Sequence, residues 1–137
     1  MQVKALIDEC LAPLFRSGLA YCHFFKAWQN EIGDRGCEAI IELLTLQGRA
    51  RGRHMRELHL SDNRITSRGA LALVRACGNI YPKRDRSQQP LPLWLRLHRN
   101  HIDVDIFEEQ ASPSSFCKCK AAGGGSGIGN CKPTYCR

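Results

Sequence analysis

The sequence predicts a short α/β repeat solenoid with an irregular C-terminal tail. Three observations carry this: an asparagine recurs at Asn30, Asn63 and Asn100, apolar residues alternate before each one, and helical spacing follows the first two. Alternation marks a strand with one buried face, whereas three- and four-residue spacing marks a helix. Each unit is therefore a strand, a turn and a helix. A chain of 137 residues fits one such body with one core.

Val3, Leu6, Ile7, Cys10, Leu11, Leu14 and Phe15 form one apolar helical face at the N-terminus, with Pro13 late in it. This segment is read as the helix of a partial preceding unit. The frames that follow align as "CHFFKAWQNEIGDRGCEAI", "MRELHLSDNRITSRGALAL" and "PLWLRLHRNHIDVDIFEEQ". In the second, Met55, Leu58, Leu60, Asn63 and Ile65 fill L-x-x-L-x-L-x-x-N-x-I, and Gly69 and Ala70 open a helix. Cys22, Phe25, Ala27, Asn30, Ile32 and Gly36 take those places in the first, and Leu95, Leu97, Asn100 and Ile102 in the third. The third frame has Pro92 at its first apolar position and no glycine at the helix opening, as a worn terminal unit would.

These frames resemble the leucine-rich repeat, over about residues 1–109, and the Gly-Cys or Gly-Ala pair resembles its ribonuclease-inhibitor type. The resemblance implies strands on a concave face and helices on a convex one. The asparagine intervals of 33 and 37 residues exceed the usual repeat of that type, so the extra residues should leave the body as loops. Each asparagine sits at a bend, where its amide can satisfy backbone groups that the turn leaves unpaired. Leu58, Leu60, Ile65, Leu95, Leu97 and Ile102 should be buried, with His59 and Arg96 exposed between them.

The residues between the inward leucines fall into columns on the concave face. Lys26, His59 and Arg96 stand four places before the asparagines, Trp28, Ser61 and His98 two places before, and Phe24, Glu57 and Trp94 six places before. Phe24, Lys26, Trp28, His59, Trp94, Arg96 and His98 form the candidate binding surface. Cations flanked by aromatic rings suit an acidic peptide, or bases and phosphates. A face of ordinary surface composition is the bland alternative.

Lysine and arginine number 20 against 13 acidic residues, a net charge of +7 that favours acidic partners. Part of the excess lies in "GRARGRHMR" and "YPKRDRSQQP", which both connect a helix to the next strand. Arg49, Arg51, Arg53, Arg56, Lys83, Arg84 and Arg86 should then form one basic rim. Such a rim attracts polyanions with strong salt dependence; a solvated loop that aids solubility is the equal alternative.

The pattern changes after Glu109, so residues 110–137 are read as a Gly/Cys-rich tail. Cys117, Cys119, Cys131 and Cys136 are candidate ligands for one zinc ion, four thiolates matching its tetrahedral preference. A metal-free tail and the start of a truncated second domain are the alternatives. "GGGSGIGNCK" lacks the lysine placement and flanking elements of a phosphate loop. No nucleophile, base and orienting carboxylate form a motif, and the scattered Cys22, Cys37 and Cys77 suit core packing. Enzymatic function is therefore not expected.

Asp8 and Glu9 interrupt the segment where a signal peptide needs an apolar run, and no membrane span is expected. Cysteines without a compact framework suit a reducing compartment, cytoplasmic or nuclear. The functional expectation is a non-enzymatic scaffold for a protein partner. The alternative is an RNA-binding module using the rim, the concave aromatic residues and a zinc-bound tail.

Overall fold

The computed structural model describes residues 21–48, 55–80 and 93–111, together with Pro13, Ser17 and four two-residue strand backbones. Its elements run β1 (Phe24–Lys26), α1 (Asp34–Gly48), β2 (Glu57–His59), α2 (Ser67–Ile80), β3 (Lys83–Arg84), β4 (Pro90–Leu91), β5 (Trp94–Arg96), α3 (Val104–Gln110), β6 (Cys117–Lys118) and β7 (Cys131–Lys132). This is a small α/β fold. The N-terminal apolar face predicted over Val3 to Phe15 lies outside the described residues, apart from Pro13.

β1, β2 and β5 form a parallel sheet in which Phe24, Glu57 and Trp94 share one row and Lys26, His59 and Arg96 the next but one. This is the register of the asparagine alignment. A helix returns the chain between successive strands, as parallel pairing requires. α1 packs on α2, and α2 on α3, in the order of the strands they follow.

The helices and the inward sides of the strands enclose one apolar cluster. Leu58, Leu60, Ile65, Leu95 and Leu97 are buried in it with Ile40, Leu43, Leu44, Leu73 and Phe107. Ile102 is only partly buried, in contrast to its counterpart Ile65. The difference has a positional cause, because Ile65 lies under the His101 connection of the next unit whereas Ile102 lies in the last frame. Pro92, the first apolar position of that frame, is outside the described residues, but its neighbour Leu93 is fully buried.

The helix openings are shaped by close approach. Asp34, at the start of α1, accepts hydrogen bonds from Thr66 N at 3.0 Å, Thr66 Oγ1 at 2.7 Å and Arg68 Nε at 3.2 Å. Burial alone would raise the Asp34 carboxyl, but the Thr66 bonds and Arg68 outweigh it and hold the group below the ordinary aspartate value. A Cβ added to Gly69 would overlap Asp34 Oδ1 and lie 3.2 Å from Asp34 Cα. Gly69→Ala is therefore expected to force α1 and α2 apart and destabilise by about 1–3 kcal/mol, the usual range for overpacking. A denaturant melt checks this, and an unchanged midpoint would contradict the close approach. At the third helix Asp103 performs the opening instead, its side chain accepting from Ile106 N at 3.1 Å.

The unequal intervals also have a structural reading. The longer connection, after α2, contains β3 paired antiparallel with β4, so part of the insertion returns on itself. Two tail segments join the sheet as well. β7 pairs antiparallel with β5 at Cys131 and Leu95, and β6 pairs with β7, giving the order β1-β2-β5-β7-β6. The expected irregular tail thus supplies backbone partners to an edge that would otherwise present unpaired N–H and C=O groups. α3 ends at Gln110, and the following Ala111 is buried.

Candidate functional site

Each of the three parallel strands is followed by a turn that contains one left-handed residue. Gln29, Asp62 and Arg99, each immediately before an asparagine, have left-handed backbones with φ of 53°, 57° and 49°. None is glycine, and the asparagine bonds offset the conformational cost. Asn63 Oδ1 accepts from Ile32 N at 3.0 Å, and its Nδ2 donates to Ala27 O, Leu60 O and Ser61 O at 2.9–3.1 Å. Asn100 repeats this one unit on, accepting from Ile65 N at 3.0 Å and donating to Leu60 O at 2.8 Å. Asn63 and Asn100 are structural staples between neighbouring units. Arg99 adds an ion pair to Asp62, with Nη2 2.7 Å from Oδ2, which lowers the Asp62 carboxyl below its usual value.

With the turns fixed, alternate strand residues point away from the core and build one surface. Phe24, Trp28 and Trp94 are 57%, 48% and 39% exposed, large values for aromatic side chains. Lys26 Nζ lies 5.9 Å from the Phe24 ring, and the Arg96 guanidinium lies 5.3 Å from the Trp94 ring. Trp28 stacks on His59 with centroids 6.2 Å apart and planes at 18°. His98 Nδ1 is 3.3 Å from Ser61 Oγ. The structure therefore brings all seven residues of the predicted surface onto one face of the sheet.

Its electrostatics differ from the column read along the sequence. Glu57 is 8% exposed and lies between two cations, with Oε2 3.7 Å from Lys26 Nζ and Oε1 3.4 Å from Arg96 Nη1. A buried carboxylate is costly unless paired, and here it has two partners. Lys26 and Arg96 share one negative charge, so they contribute one net positive charge to the face. His59 is held below the ordinary histidine value by burial and by Arg96, which together with smaller effects from Lys26 and His98 prevail over the attraction of Glu57. His98 is likewise lowered, by burial and then by Arg96 and Arg99, against Asp62. The middle column is thus a neutral histidine between two shared cations at neutral pH.

Glu57 stands in one of the columns but outside the candidate surface predicted from them, although it pairs with two of its cations. A signal was available: Glu57 lies diagonally across adjacent strands from both Lys26 and Arg96, a position where opposite charges attract. Ser61, placed in an outward column, is in fact buried.

Most of the expected basic rim, Arg49, Arg51, Arg53 and Arg86, lies outside the described residues. Arg56 is exposed, and its N donates to His23 O at 2.7 Å, which sets it on the sheet beside β2. Lys83 and Arg84 are placed by backbone only, opposite Leu91 and Pro90. Among the expected zinc ligands, Cys119 and Cys136 also lie outside the described residues. The register sets Cys117 opposite Lys132 and Cys131 opposite Lys118. Among the described residues no group of three or more metal-ligating side chains is assembled.

The core cysteines are chemically quiet. Burial raises the Cys22 thiol to about 11 and Cys77 to about 12, and burial with the Asp34 and Glu38 carboxylates raises Cys37 to about 12. Thiols this weakly acidic carry little thiolate at neutral pH. Among the described residues no helix is long and apolar enough to cross a membrane.

Residues 53–74 match the family model described as Leucine Rich repeat. The matched stretch contains Met55, Leu58, Leu60, Asn63, Ile65, Gly69 and Ala70, which build β2, its turn and the first half of α2. It supports a leucine-rich repeat at this position and, through it, a protein-interaction module. No curated protein and no solved structure matches the chain.

Proposed function

We propose that this chain is a non-enzymatic scaffold of the leucine-rich-repeat class, ribonuclease-inhibitor-like, in which three units stack as a short solenoid and a protein partner docks on the concave strand face. The observation that carries this reading is the cluster of exposed Phe24, Trp28 and Trp94 around the Lys26–Glu57–Arg96 ion group. Aromatic residues and arginine are the side chains most often found as energetic anchors of protein interfaces. Free Cys22, Cys37 and Cys77, the last two buried, suit the reducing, intracellular setting included in this reading.

Affinity capture tests it. Proteins retained by the wild-type chain are expected to be lost with Trp28→Ala/Trp94→Ala and kept with Arg75→Ala, an exposed change on α2. An anchor of this kind is worth about 2 kcal/mol, roughly thirtyfold in Kd. Identical retention by all three, with unchanged melts, would contradict the docking face.

A further inference from the structure

We infer that the partner on this face is an acidic protein segment, and that His59 and His98 strengthen its binding as they take up protons. This rests on the scaffold reading above and adds the chemistry of the partner.

The fixed cations are held ready but incompletely satisfied. Glu57 draws the Lys26 ammonium and the Arg96 guanidinium toward the middle strand, while Trp94 supports the guanidinium from its ring face. Arg96 Nε is buried without a hydrogen-bond partner, so Glu57 meets only part of the donor capacity of this side chain. One net positive charge remains between exposed rings. A peptide carboxylate can add to it, and neighbouring apolar side chains can cover Phe24 and Trp28.

The histidines occupy the centre of the same surface. His59 lies in register between Lys26 and Arg96 and is stacked on Trp28. The charged and titratable groups acting on it are Lys26, Glu57, Arg96 and His98, and those acting on His98 are Arg96, Arg99 and Asp62. These surroundings disfavour a further positive charge in the free protein. An incoming carboxylate reverses that balance, and linkage requires that protons then favour the carboxylate in return. The bond between His98 and Ser61 accommodates both states, since a hydroxyl can donate to neutral Nδ1 or accept from its protonated form.

A polypeptide fits this pattern better than a nucleic acid. Glu57 and Asp62 lie among the cations, so an unbroken line of phosphates would meet negative charge. A peptide can place carboxylates and apolar groups selectively.

The full chain carries its own reporter, because its two tryptophans, Trp28 and Trp94, both lie on this face. Their emission is titrated with three peptide pools, Glu/Leu-rich, Gln/Leu-rich and Lys/Leu-rich, and with single-stranded RNA, at pH about 7.5 and about 5.5, which brackets histidine titration while glutamate stays largely ionised. The acidic pool is expected to bind with a Kd roughly tenfold lower at the acidic pH, about 1.4 kcal/mol. His59→Gln/His98→Gln should remove this pH dependence, whereas Arg75→Ala should not. Proton NMR of the wild-type chain should show both histidine midpoints rising when the acidic pool is added, a readout independent of whether the variant folds.

Acidic-pool binding that ignores pH, or histidine midpoints that do not move, would overturn the inference while leaving the scaffold reading intact. Preference for the neutral or basic pool would do the same. Failure of every pool would overturn the inference, with the capture experiment deciding the scaffold reading separately. RNA binding with no peptide binding would overturn both.

Discussion

Leu60→Ala is expected to lower the unfolding free energy by about 2–5 kcal/mol, the range for truncating a large core side chain. Leu60 is fully buried, in the same cluster as Leu58 and Ile65 of its own unit and Leu97 of the next. The adjacent His59 points to the other side of the sheet and is only partly covered. His59→Ala should therefore cost below about 1 kcal/mol, chiefly its stacking on Trp28. Chemical denaturation of both variants checks the pair. A larger loss at His59 than at Leu60 would mean that the strand is turned over, since a shift of one residue exchanges the two faces.

Asn63→Ala should be comparably damaging, at about 2–4 kcal/mol, although it removes no apolar surface. Its amide serves Ile32 N, Ala27 O, Leu60 O and Ser61 O, and alanine leaves these groups without that partner in a water-poor turn. Asn30 is the internal control: it is exposed, with its Nδ2 donating to Trp28 O at 2.8 Å. Asn30→Ala is expected to cost below about 1 kcal/mol. Equal losses at the two positions in thermal melts would contradict the account of asparagine as a staple between units.

These two residues also explain why the framework was legible in the sequence. Alternation of Leu58 and Leu60 follows from strand geometry, and the asparagine from the hydrogen-bonding needs of a bend, so both leave a mark that aligns without knowledge of the fold. That alignment carried the pairing of Phe24 with Glu57 and Trp94. The electrostatics were less legible because they depend on lateral neighbours. Glu57 reads as one mixed member of a column until Lys26 and Arg96, far away in the chain, are brought beside it. His59 likewise counts as potentially cationic along the sequence, yet burial and Arg96 oppose its charge in the fold.

Irregular features were harder still. The left-handed backbones at Gln29 and Arg99 occur at residue types that do not advertise them, and only Asp62 is of a type that favours the region. The pairing of β3 with β4 and of β7 with β5 involves two-residue strands, too short for any periodicity to register. Leu93, one residue beyond the place where the repeat spacing expects an apolar side chain, is fully buried, an offset near an insertion that a fixed spacing does not anticipate.

The central claim is that a protein partner covers the strand face bearing both tryptophans. A protein captured by the wild-type chain and lost with Trp28→Ala/Trp94→Ala can be titrated onto the purified chain while acrylamide quenching of tryptophan emission is measured, with emission from the partner subtracted. The account predicts a blue-shifted emission and reduced quenching that saturate with binding. Saturable binding that leaves emission and quenching unchanged would contradict it.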